Sequence, residues 1–258
     1  MNAAAQAPLA PATVARDLSA ADLRRALSAG WSDFLAHPVY GLFFASIYVA
    51  AGLFLMLALF RWGEAVWLIP AAAGFPLIAP FTAVGLYEVS RRREAGLALS
   101  WSGVLGALGG RGDQQVVMMG GIVFVAFGFW LMVAHGIFAV FVVESGAGSE
   151  SLAFLATPSG MAMLGVGSVA GGLMALAFYA ITVVSLPMLV DREVDFLTAI
   201  IVSLAAFRSN RGVLLLWAGV IAVVLALAMV PMFLGLLVAL PVLGHATWHL
   251  YRRIVDPA

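Results

Sequence analysis

The sequence predicts an all-α, polytopic membrane protein: a bundle of six transmembrane helices with interfacial amphipathic helices. Three observations predict it. Hydrophobic residues make up 64% of the 258 positions and charged residues 10%, against roughly 25% charged in a soluble domain. Six apolar stretches have the length that a hydrocarbon core about 30 Å thick demands. The positive charge is all arginine, and of the thirteen arginines only Arg61 falls on the far side of a six-span topology.

The elements follow in order. Residues 1–18 are Ala/Pro-rich at the start, lack periodicity and read as a disordered N-terminal tail, leaving 19–258 as a single membrane domain. Ser19-Ala20-Ala21-Asp22 has the form of a capping box. After it, Leu23, Leu27, Gly30, Trp31, Phe34 and Leu35 share one helical face, which predicts an amphipathic helix on the membrane surface. The apolar run from Val39 is too long for the core of a cleavable signal.

The spans are predicted at 39–60, 66–87, 116–140, 161–190, 213–230 and 232–251. The second holds Pro70, Pro76 and Pro80. Each removes an amide donor and crowds the preceding turn, so this helix should be kinked or locally unwound, a candidate broken-helix site. The fourth includes Gly167 and Gly171 at GxxxG spacing, where small residues let helix backbones approach closely. That serves packing within the bundle or, alternatively, a homo-oligomer. The fifth and sixth spans join at Pro231 with almost no loop.

Two segments between spans, Leu97–Leu108 and Asp191–Asn210, are predicted to lie at the interface. In the second, Asp191, Glu193 and Asp195 come first and Arg208 last, an order that complements a helix dipole. Arg93-Glu94 with Arg192-Glu193, and Arg111-Gly112 with Arg211-Gly212, are spaced ninety-nine and one hundred residues apart. Such spacing is compatible with a parallel internal repeat.

Charge sets the orientation. Loops rich in Lys and Arg stay cytoplasmic, so the arginine-bearing side, at about +2, faces inward with both termini, and the outer side is about −2. The lipid bilayer is then its first partner. No basic patch is interleaved with exposed aromatics, so nucleic acid is not expected as a partner. The chain has no cysteine, which removes disulfides, thiolate metal sites and cysteine catalysis.

The spans carry no internal Asp, Glu or Arg. Proton relays, ion-coupled carriers and voltage sensors need ionisable groups at membrane depth, so a pump is disfavoured. A channel or carrier for a small neutral solute stays open, because such sites can be built from backbone at broken helices. Among the histidines, His135 stands alone in the third span and reads as a packing residue. His245 and His249 share a helix face at i,i+4, and His37 is predicted at the same depth. Three imidazoles at one level are either candidate ligands for haem or a metal or interfacial polar residues in a belt with Trp248 and Tyr251. No nucleophile–base pair, carboxylate pair or phosphate loop can be assembled, so no enzyme is predicted, and no cofactor is required.

Four stretches carry a resemblance: Gly30–Phe34, Pro80–Glu88, Pro187–Arg192 and Pro241–His249. From Trp31 onward the chain resembles a family of bacterial integral membrane proteins classified as a domain of unknown function. Some of its members are labelled cytochrome c oxidase subunits. The resemblance implies an inner-membrane protein. A catalytic oxidase subunit has twelve spans and six histidine ligands, whereas this chain has four histidines in all. The expectation is therefore an accessory, assembly or scaffold role within a membrane protein complex.

Overall fold

The computed structural model describes residues 13–63, 83–109, 115–145 and 152–255. Its elements run α1 (Ala20–Ala36), α2 (Pro38–Trp62), α3 (83–94), α4 (Trp101–Gly106), α5 (Gln115–Ser145), α6 (Pro158–Asp191), α7 (Phe196–Ser209), α8 (Arg211–Met229) and α9 (Leu236–Ile254). The fold is all-α, as the composition and periodicity require.

The expected capping box opens α1: the Ser19 amide donates to the Asp22 carboxylate at 2.9 Å. Its buried stripe is narrower than the predicted face. Leu23, Ala26, Gly30 and Phe34 are buried, but Trp31 and Leu35 are exposed. The stripe lies on α9 because Gly30 lets two backbones touch. A Cβ there would sit 2.5 Å from the Ala246 nitrogen and 2.7 Å from the Val242 oxygen.

Among the described residues, four helices are long and apolar enough to cross a membrane: Pro38–Trp62, Gln115–Phe141, Pro158–Asp191 and Arg211–Met229. They match the first, third, fourth and fifth predicted spans. Side chains such as Phe54 and Phe124 on them are each 73% exposed, a cost in water that lipid removes. Most of the second predicted span, with Pro70, Pro76 and Pro80, lies outside the described residues.

The sixth expectation, 232–251, requires correction in both bounds and character. The chain first turns through Met232 and Phe233 at φ 51° and 64°, a left-handed conformation that costs non-glycine residues about 1 kcal/mol or more. Phe233 recovers contact by packing over Gly52. α9 then starts at Leu236, and its second half is polar yet buried: His245, Trp248, Leu250, Tyr251 and Ile254 are at most 1% exposed. α1 and neighbouring helices cover that half, so α9 is not an apolar rod.

The other departures have local causes. The 1–18 tail is not wholly free of structure. Val14 bridges Val255, the Ala15 amide donates to the Ile254 carbonyl at 2.8 Å, and Asn210 donates to the Ala15 carbonyl at 2.7 Å; residues 1–12 lie outside the described residues. The 97–108 segment contains only the short α4 and a 3-10 turn at Ala107–Gly109. In the 191–210 segment Asp191 ends α6, and Asp195 is the N-cap of α7, accepting from the Thr198 amide at 2.8 Å. α7 is fastened to α6 by Ser203, whose hydroxyl donates to the Ala180 carbonyl at 2.8 Å and accepts from the Val184 amide at 3.2 Å.

Within the chain Gly167 and Gly171 are not used as a pair. A Cβ on Gly171 would meet the Trp130 ring of α5 at 2.7 Å, whereas one on Gly167 would meet nothing within 4 Å. The close α5–α6 approach therefore rests on Gly171, with Trp130, Ala134 and Phe178 around it.

Candidate functional site

The site grows from one carboxylate on an apolar stripe. Asp33 follows Gly30 by three positions on α1, so it faces inward and is 5% exposed. A buried charge must be paired and hydrogen-bonded, and Asp33 is satisfied on both oxygens. Oδ2 accepts from the Ser90 hydroxyl at 2.6 Å and from His249 Nε2 at 2.8 Å; Oδ1 accepts from the Arg93 guanidinium. Burial pushes the Asp33 carboxyl up, but the bonds from His249 and Ser90 outweigh it and hold it down at about 2.

Ser90 extends the chain of bonds to His245, with Oγ 2.7 Å from Nδ1. Because the hydroxyl proton is committed to the ionised Asp33, Ser90 accepts from His245 Nδ1–H. That fixes the Nδ1–H tautomer; the buried Nε2 meets no hydrogen-bond partner among the described residues. Such a chain is not a nucleophile triad. A triad places serine and carboxylate on opposite ring nitrogens so that the imidazole takes the serine proton; here the hydroxyl sits between the other two groups and gives its proton to the carboxylate.

Charged pairs surround this centre. Glu88 accepts two bonds from Arg91, both at 2.7 Å, and one from Arg92 at 2.6 Å. Glu94 accepts from Trp248 Nε1 and from Arg252, each at 3.0 Å. Asp191 accepts from the Tyr251 hydroxyl at 2.8 Å and from Arg252 at 3.3 Å. Arg253 pairs with Asp17 and Asp22. Nearby, the Phe196 amide donates to Gln115 at 3.0 Å. α1 along its length, and the neighbouring ends of α3, α5, α6, α7 and α9, are thus stitched into one polar layer.

Of the three histidines singled out from sequence, His245 and His249 meet in this layer, although through Asp33 and Ser90 rather than through a shared ion. His37 sits at the α1–α2 junction as the residue between the two helices. Among the described residues no group of three His, Asp or Glu could hold a metal ion, so His37, His245 and His249 do not come together as a three-ligand metal site. Asp33, Ser90 and Arg93 were not singled out as site residues, though Asp33 carried a signal: an acid on the Gly30–Phe34 stripe.

The stretches that carry the resemblance also find their place. Gly30–Phe34 packs on Pro241–His249, and a Cβ on Gly244 would meet the Leu86 side chain at 2.7 Å. Asp191, in Pro187–Arg192, receives Tyr251 of α9.

No curated protein and no solved structure matches the chain. A family model covers the second of the four stretches and the third up to Asp191, and leaves out the first and last. Residues 68–191 match the model of a family described as a predicted integral membrane protein of unknown function, DUF2189, the class that the resemblance implied.

Proposed function

We propose that the protein is a non-enzymatic scaffold or assembly component of a bacterial inner membrane, crossing it six times with both termini cytoplasmic. The observation that carries this reading is the division of the molecule into a self-paired polar layer and outward apolar faces. In the layer the carboxylates and most of the arginines satisfy one another, which suits a rigid support better than a reaction centre. The apolar faces are available to lipid and to other membrane helices.

Connectivity supports six passes. α2 is 25 residues long, about 37 Å at 1.5 Å per residue, and leads away from Asp33. Ser90 and Arg93 of α3 are beside Asp33, at the end of α2 opposite Trp62. α5 departs from the layer and α6 returns to it, and α8 and α9 make the third such pair.

The resemblance makes a respiratory cytochrome oxidase the first partner to look for. The test is purification of the native protein in mild detergent, with cross-linking and identification of what accompanies it. A fixed set of membrane proteins in stoichiometric amounts is expected. Recovery of the protein alone, together with solute flux in reconstituted liposomes, would replace the scaffold by the channel or carrier reading.

A further inference from the structure

We propose that Arg16, Arg208 and Arg211, gathered around buried Asn210 at the uncapped start of α8, form a docking site for the phosphate of an anionic phospholipid. Most arginines of the polar layer are spent internally: Arg25 on Asp22, Arg91 and Arg92 on Glu88, Arg93 on Asp33, Arg192 on Asp191, Arg252 on Glu94 and Arg253 on Asp17. Arg16, Arg208 and Arg211 are different. All three are exposed, and none has an ion-pair partner among the described residues.

Asn210 is what brings them together from opposite ends of the sequence. Its amide donates to the Ala15 carbonyl at 2.7 Å, and its side-chain oxygen accepts from the Leu18 amide at 3.3 Å. The segment bearing Arg16 is thereby laid against the α7–α8 corner that bears Arg208 and Arg211. The adjacent acid, Asp17, is held by Arg253 at 2.9 Å, so it does not neutralise the patch.

The second, independent feature is the helix start. With its side chain committed to Ala15 and Leu18, Asn210 makes no side-chain cap on α8. The first return bond is from the Leu214 amide to the Asn210 carbonyl at 3.0 Å. The amides of Arg211, Gly212 and Val213 therefore have no acceptor among the described residues. Free amides at the positive end of a 19-residue helix make an anion site.

A lipid rather than a free phosphate is the occupant because apolar surface begins at once. Leu215 and Leu216, in the first turns of α8, are 45% and 50% exposed, and α8 is one of the candidate spans. A headgroup phosphate at Arg211 would leave its acyl chains alongside those leucines. Basic pockets beside membrane helices are known to favour anionic headgroups on these grounds.

The test uses the full chain in mild detergent with added dioleoyl phosphatidylglycerol or phosphatidylcholine, and retained lipid is counted by native mass spectrometry. Wild type should retain phosphatidylglycerol over phosphatidylcholine, and less of it as salt rises from low to physiological strength. Replacing Arg16, Arg208 and Arg211 together by Ala should weaken retention by about fivefold per arginine, on the order of 100-fold in all. Arg61→Ala, at the far end of α2, should leave retention unchanged, and the triple Lys replacement should keep most of it. Equal retention by wild type and the triple Ala variant would overturn the proposal. So would a salt-independent preference in wild type, a readout that needs no variant to fold. Displacement of the lipid by millimolar inorganic phosphate would assign the site to the free anion instead.

Discussion

Replacing Asp33 by Ala removes the group on which Arg93, Ser90 and His249 converge. The cost can be worked from its titration. A carboxyl held at about 2 in the folded protein, against an ordinary 3.8, stabilises the fold by about 2 kcal/mol at neutral pH, at 1.36 kcal/mol per unit. Removing one partner of a fully buried pair costs about 3–5 kcal/mol. Here the Arg93 and His249 side chains are 35% and 25% exposed and can turn partly to water, so about 2–3 kcal/mol is expected.

The assay is denaturant unfolding in detergent micelles, followed by tryptophan fluorescence. Trp248, fully buried and bonded to Glu94, reports on the layer directly. The pH dependence gives a second readout. Because the folded carboxyl titrates below its unfolded value, its contribution is fully present above about pH 4 and is lost as pH falls toward 2. Wild type should lose clearly more over that window than Asp33→Asn, in which Asp22 and Asp195, also held below the ordinary range by hydrogen bonds, still titrate. A change below about 0.5 kcal/mol in Asp33→Ala, the range of an ordinary surface substitution, would refute the assignment of Asp33 as the centre of the layer.

Other substitutions separate the contacts. Gly30→Ala should destabilise by about 2–3 kcal/mol or prevent folding, since its Cβ meets backbone atoms of α9 that cannot yield; Gly244→Ala, which meets the movable Leu86 side chain, should cost clearly less in the same unfolding assay. Ser203→Ala should cost about 1 kcal/mol by deleting the hydroxyl that joins α7 to the Ala180 and Val184 backbone, read as faster amide exchange in α7. Asn210→Ala should cost about 1–3 kcal/mol and free residues 13–18, read as new proteolytic cleavage within that segment.

Sequence reasoning reached the spans because apolar length is a property of single segments: α2, α5, α6 and α8 follow from composition alone. It reached the Ser19–Asp22 cap for the same reason. The polar layer was harder, since pairing depends on which segments touch. The i,i+4 spacing of His245 and His249 placed them on one face correctly, but nothing in α9 itself said that Asp33 and Ser90 would meet them. The sixth span reads from sequence as apolar along its length because the first half of α9 is apolar; the second half is buried by α1 instead of lipid, a tertiary fact. Asn210 reads from sequence only as the last residue of an interfacial segment. Its role appears only once Ala15 and Leu18, nearly two hundred positions away, lie beside it.

The central claim is that the stitched layer is the cytoplasmic boundary of a six-pass protein. Since the chain has no cysteine, single cysteines can be placed without background. Ser28→Cys in α1, Gly146→Cys beyond α5 and Ala258→Cys at the carboxyl end should be tested with a membrane-impermeant maleimide on intact inner-membrane-exposed cells. Labelling of Gly146→Cys before permeabilisation, with Ser28→Cys and Ala258→Cys labelled only afterwards, is the predicted result. Labelling of Ala258→Cys in intact cells while Ser28→Cys stays protected would put the two ends of the layer on opposite sides of the membrane, and would contradict the account.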